Sequence, residues 1–239
     1  MLETFERSSV RRYLDQYGVI LWQMARRLLI LFIIMYGVAL IASPFVFRHI
    51  IAETWPLVIF NYEDGLALMF RLAFLLTIIV MVPVATGYVL FEIYRRGWMR
   101  SVRLLFGTGL AAVVLFFLGL AFAAFVLLPF LITFIARLGK DFHIEPMYGA
   151  VQYTSFLVGL MLPMGVFFEL PLVITLIVRL RLVSLEKLKS IRKYVYFFLY
   201  VIASMITPPD VMTHVMAALP LIALYEIGLF AAKKMSPTK

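Results

Sequence analysis

The sequence predicts an all-α, polytopic membrane protein with six transmembrane helices and both termini in the cytoplasm. Three observations carry this reading. Hydrophobic residues make up 64% of the 239 positions and the mean hydropathy is +1.01, more apolar surface than a soluble domain of this size can hide. Ionisable residues and turn formers cut the chain into six apolar runs, near 28–47, 72–94, 104–136, 153–178, 194–206 and 211–232. Lys and Arg, finally, concentrate on alternate connecting segments: 18 fall in the N-terminal tail, the second and fourth loops and the C-terminal end, and 4 (Arg48, Arg71, Arg137, Lys140) fall on the other face. Basic residues stay on the cytoplasmic side, so this bias places both termini inside. Acidic residues lean the opposite way, with Glu53, Glu63, Asp64, Asp141, Glu145 and Asp210 in the outer loops.

Three parts follow: a cytoplasmic tail over 1–27, a six-helix membrane domain over 28–232 and a cytoplasmic tail over 233–239. In the first, Val10, Tyr13, Leu14, Tyr17, Leu21 and Met24 recur at helical spacing while Arg11, Arg12, Asp15 and Gln16 fall off that stripe. Two readings stand, an interfacial helix leading into span one or a longer first helix protruding into the cytoplasm. The first apolar run begins only after Arg27, exceeds the apolar region of a signal peptide and lacks a clear cleavage pattern, so it reads as a retained span. Trp22, Trp55 and Trp98 lie just outside apolar runs, where amphipathic rings settle at headgroup depth.

Span lengths add detail. The 33 residues of 104–136 would make a helix of about 50 Å, longer than a hydrocarbon core of about 30 Å, and Pro129 near the outer end predicts a kink there. The 13 residues of 194–206 reach only about 20 Å, and the last run is interrupted by Glu226, so the fifth and sixth helices are predicted short. Basic pairs Arg192/Lys193 and Lys233/Lys234 bracket them on one side, which makes them a hairpin that crosses out and back. Its tip is Thr207, Pro208, Pro209 and Asp210: the prolines end one helix and Asp210 can cap the next.

Glu169 is the most informative residue. It is the single charge in the 26-residue run 153–178 and therefore lies at membrane depth, where an ionised carboxylate costs several kcal/mol unless it is protonated, paired or wetted. It is a functional candidate, with structural glue to a neighbouring helix as the alternative. Other chemistry is missing. There is no cysteine, which excludes disulfides, thiolate metal sites and cysteine nucleophiles, and no HExxH, GxSxG, P-loop or GxGxxG pattern. His49, His143 and His214 are isolated from one another. No catalytic residue, metal or cofactor is predicted, and the net charge of +9 sits in short loops, where it orients helices rather than binding nucleic acid.

Six stretches in order, GLAFAAFVLLP from Gly119, YTSFL from Tyr153, GVFFELP from Gly165, SLEKLKSIRKY from Ser184, ITPPD from Ile206 and LPLIALYEIGLF from Leu219, resemble TatC, the receptor subunit of the twin-arginine protein translocase. The resemblance covers roughly residues 104–232. It implies a concave, glove-like wall of six helices with short fifth and sixth helices, in a prokaryotic cytoplasmic (inner) membrane. It implies that Glu169 matches an intramembrane glutamate facing that concavity. It also implies that Ser204, Thr207 and His214 match a polar cluster receiving single-span TatA/TatB-type subunits, with histidine where other members often have an amide. Implied partners are those subunits, signal peptides of exported folded proteins and the bilayer, in an oligomeric complex driven by the proton motive force.

The N-terminal half departs from the family. ILWQMARR (20–27) puts Gln23 where family members usually carry an acid, and RRGWMRSVR (95–103) puts Ser101 where a second acid is expected. These carboxylates pair the two signal-peptide arginines in the family, and bidentate pairing needs a charged acceptor. Glu92 is the nearest substitute, or it balances Arg95 or Arg96. Three functions therefore compete: a divergent translocase subunit that engages signal peptides, an assembly paralogue without cargo recognition, and a small proton-coupled transporter using Glu169.

Overall fold

The apolar runs all fold as helices, and proline decides where those helices break. The computed structural model describes residues 2–48, 57–58, 61, 63–97, 99, 101–141, 148–207 and 211–235. Trp55, Trp98 and the tip residues Pro208, Pro209 and Asp210 lie outside the described residues, as do the side chains of residues 2–21 and so the amphipathic stripe read there.

α1 (Leu2–Val46) is a single unbroken helix of 45 residues, about 68 Å long, so the backbone follows the longer-first-helix reading. It packs on α2 (Asp64–Arg95), through Phe32 edge-on to Phe74 and the Tyr36 hydroxyl donating to Phe70 O at 3.3 Å. α2 begins a full two turns before the apolar run, so Arg71, read as a loop-flanking charge, lies inside the helix. It extends to the start of the fourth span, donating to Val151 O at 2.9 Å.

The third span is α3 (Val102–Phe122), a π-helical segment (Ala123–Leu127) and α4 (Leu128–Asp141). The Leu128 amide donates to Ala123 O, five residues back. Pro129 has no amide hydrogen and its ring crowds the carbonyl four residues earlier, so widening the turn ahead of it relieves the clash. The kink expected at Pro129 is thus taken up as a π segment just before it.

The fourth span also breaks, into α5 (Ala150–Phe168) and α6 (Leu170–Arg179), with Glu169 as the turn between them. Pro171 sits in the first turn of α6, where a missing amide hydrogen costs nothing. α7 (Leu185–Ser190) is a short connector whose Ser184 hydroxyl caps the Lys187 amide at 3.3 Å. α8 (Arg192–Ile206) has 15 residues, the short fifth helix expected. α9 (Val211–Met235) runs 25 residues, longer than expected, because Glu226 does not interrupt it.

Five segments, Trp22–Val46, Asp64–Arg95, Val102–Arg137, Ala150–Arg179 and Thr213–Lys234, are long and apolar enough to cross a membrane, and α8 is the shorter sixth. Two-residue strands β1 (Leu57–Val58) and β2 (Tyr148–Gly149) pair in parallel at one end, Leu57 with Tyr148 and Val58 with Gly149. Among the described residues the remaining elements are all helical.

The fourth span is the centre of the packing: α5 touches α2 and α3, and α6 lies along α9, against which α8 also packs. Glycine sets two of these contacts. A Cβ at Gly119 of α3 would sit 2.6 Å from Met164 O and 2.9 Å from Gly165 Cα. A Cβ at Gly228 of α9 would sit 2.9 Å from Pro171 Cα. Backbones approach closely only where side chains are absent, so the helix break at Glu169 is clamped from both sides.

Candidate functional site

Because the helix turns at Glu169, its carboxylate leaves the helix surface without capping α6, and it is buried. Thr86 of α2 donates its hydroxyl to this carboxylate, at 3.1 Å from Oε2 and 3.4 Å from Oε1. Thr86 lies nine residues before the end of α2 and Glu169 ten before the end of α6, each about 14–15 Å from its helix end. That is half the thickness of a hydrocarbon core of about 30 Å, so the pair sits near mid-depth. Phe168 beside it stacks at a tilt on Phe122 of α3, with centroids 5.5 Å apart, which closes one side.

The α8–α9 hairpin carries polar groups at both ends. At the far end, the Thr207 hydroxyl donates to Ala203 O at 2.9 Å, and its oxygen lies 2.7 Å from Nδ1 of His214. A hydroxyl has one hydrogen, so with that hydrogen on Ala203 O the ring must donate from Nδ1. The acceptor lone pair of His214 is then on Nε2, and the ring meets Tyr200 edge-on at 6.3 Å. Ser204 does not join them, because its hydroxyl donates to Val201 O in its own helix at 2.7 Å.

At the near end, Glu226 of α9 accepts from Arg192 Nη2 at 2.7 Å and from the Tyr196 hydroxyl. Tyr225 donates to Leu188 O at 2.8 Å. This staple of α7, α8 and α9 is invisible to a reading that treats Glu226 as an interruption. The signal was present: a lone acid in one apolar helix and a basic pair opening the helix before it. Thr86 was likewise missed, a lone hydroxyl at the depth of Glu169.

At the cytoplasmic end predicted by charge bias, Gln23, Met24 and Arg27 of α1 meet Tyr88, Glu92 and Arg95 of α2 around a small cavity of about 70 Å³. Arg27 donates to the Tyr88 hydroxyl at 3.1 Å. Glu92 is buried and already paired, with Arg96 Nε at 3.1 Å and Arg95 Nε at 3.3 Å. The structure therefore brings Gln23 and Glu92 together. Ser101 stands apart, exposed at the start of α3 with no side-chain cap bond. Among the described residues no group of His, Asp and Glu could hold a metal ion.

Fold and site together define a multi-pass helical membrane protein whose buried carboxylate is held at a helix break by a neighbouring span. The family model for Sec-independent protein translocase protein (TatC) matches residues 20–220. Similar proteins include the Sec-independent protein translocase protein TatC of Halalkalibacterium halodurans, 34% identical over 219 residues that cover 87% of this chain and 85% of that one. Another is TatCy of Bacillus subtilis, 33% identical over 217 residues with the same coverage. A crystal structure of the twin-arginine translocase receptor TatC superposes with a TM-score of 0.76 at 28% identity, covering 90% of this chain and 96% of that one. The chain belongs to the TatC family and is a subunit of a Sec-independent protein translocase.

Proposed function

We propose that this subunit engages signal peptides at its cytoplasmic end and single-span TatA/TatB-type subunits at the α8–α9 hairpin. In that role it exports folded proteins across the prokaryotic cytoplasmic membrane on the proton motive force, with both termini inside. The observation that carries the reading is the convergence of α1 and α2 on Glu92. Gln23 and Glu92 line one cavity, and among the described residues Glu92 is the one carboxylate on its wall. Arg95, the looser of the two guanidiniums on Glu92, has a side chain 67% exposed, so an incoming arginine can take its place without leaving the buried acid unpaired. On the hairpin, Thr207 and His214 supply the partner contact, with His214 Nε2 as acceptor, and Ser204 borders them. The tip Pro208–Asp210 completes that end in sequence. Glu169 is the intramembrane acid that the inserted signal hairpin would meet.

The assembly-paralogue reading is favoured by one observation, that Glu92 is satisfied by Arg95 and Arg96 with no second acid beside it among the described residues. Photo-crosslinkers at residues 23 and 92, with a twin-arginine signal peptide and its twin-lysine variant, separate the two. Crosslinks selective for twin arginine support a receptor. Unselective crosslinking with partner binding retained assigns assembly alone.

A further inference from the structure

α3 and α6 run side by side but antiparallel, and between them lies an open groove of about 350 Å³. Its walls are Leu104, Gly107, Ala111 and Leu115 on one helix and Pro171 and Leu172 with Leu176 on the other. Two threonines also line it, but neither presents a free hydroxyl donor. Thr108 donates to Leu104 O at 2.7 Å and Thr175 to Pro171 O at 2.7 Å, so the walls stay apolar.

Polarity is confined to one end. Arg103 opens α3 and Arg179 closes α6, so antiparallel packing puts both guanidiniums at the same mouth. Among the described residues neither forms an ion pair, in contrast to Arg95, Arg96 and Arg192. α3 also starts at that mouth, and Ser101 leaves its first turn without a side-chain cap, which adds the positive end of a 21-residue helix. From Arg103 to Leu115 the groove runs about 18 Å, close to one leaflet of a core about 30 Å thick.

From this juxtaposition we infer that the α3–α6 groove binds an anionic phospholipid, one acyl chain along its apolar floor and the phosphodiester between Arg103 and Arg179. Charge complementarity selects the occupant: a transmembrane helix would bring only apolar surface to that mouth, whereas a phosphate accepts from both guanidiniums. The groove itself leaves room for the chain, since a Cβ at Gly107 meets nothing within 4 Å.

Native mass spectrometry of the purified full chain, loaded with equal dioleoylphosphatidylglycerol and dioleoylphosphatidylethanolamine, tests this. Preferential retention of phosphatidylglycerol is expected, falling about tenfold or more in the Arg103→Gln/Arg179→Gln double variant and unchanged in Lys233→Gln/Lys234→Gln. Gly107→Phe, which fills the groove and spares both arginines, should lose the lipid as well. Both arginines are exposed, so their replacement leaves the fold intact and the double variant is decisive even if Gly107→Phe does not fold. Equal retention of the two lipids would overturn the inference, as would full retention by the double variant. Displacement by excess inorganic phosphate would reassign the mouth to a free anion. Loss of a single-span partner from Gly107→Phe with phosphatidylglycerol kept would give the groove to a helix instead.

Discussion

Glu169 and Thr86 form a pair that no local rule connects, 83 residues apart and meeting near mid-depth. Glutamine in place of Glu169 keeps both the volume and an oxygen to accept from Thr86, so Glu169→Gln should cost less than about 1 kcal/mol. Thermal unfolding in detergent checks that half. Export of a folded reporter should nevertheless fall, because the amide can neither take up nor release a proton. Full export by a stable Glu169→Gln protein would return this residue to the role of helix glue. The hairpin pair makes a second case. Thr207→Val removes the acceptor for His214 Nδ1–H and should destabilise the hairpin end by about 1–3 kcal/mol. Co-purification of the single-span subunit should drop with it, while unchanged yield would detach that contact from Thr207.

Among the helices, what matters is where they break and where they touch. Pro129 and Pro171 both stand in the sequence, and both do break their spans, one as a π segment and one as a turn. Sequence alone marked the first as a kink but could not show that the second turns Glu169 off the helix, because that depends on what clamps the break. Gly119 and Gly228 supply the clamp, Gly119 against the backbone of Met164 and Gly165 and Gly228 against Pro171 Cα and the Ile174 side chain. Gly119→Leu and Gly228→Val should therefore each destabilise by about 1–3 kcal/mol or more, since overpacked backbone has little room to yield. Gly159→Ala, with nothing within 4 Å of its Cβ, is the matched control and should be neutral. Similar melting for all three variants would remove the clamp from the account.

Across the whole molecule, two features can be tested together. Glu226 joins α8 to α9 through Arg192 and Tyr196, beside the Tyr225 bond that ties on α7, but it and Arg192 are each more than a third exposed, so solvent screens the ion pair. Glu226→Ala should cost only about 1 kcal/mol, with the loss showing as faster proteolysis of the 184–192 connector rather than as global unfolding. Orientation is equally accessible, because the chain has no cysteine and any introduced one is unique. Cysteines at Ser8 and at Ser236 should both react with an impermeant maleimide only from the cytoplasmic side. Labelling of either from outside would overturn the inside placement of that terminus.

Hydropathy, charge bias and proline placement are local quantities, and they were enough to write down six helical spans, the short fifth helix and a carboxyl at membrane depth. They are legible because the bilayer imposes a length and a polarity on each segment separately. The sixth helix misled for the same reason: Glu226 looks like an interruption until Arg192 and Tyr196 arrive from another helix. Thr86 against Glu169, the glycine clamps and the pairing of Glu92 with its own arginines are relations between side chains brought together by packing. Only the packed bundle could decide them, since a partner's identity depends on distance in space and the sequence records only distance along the chain.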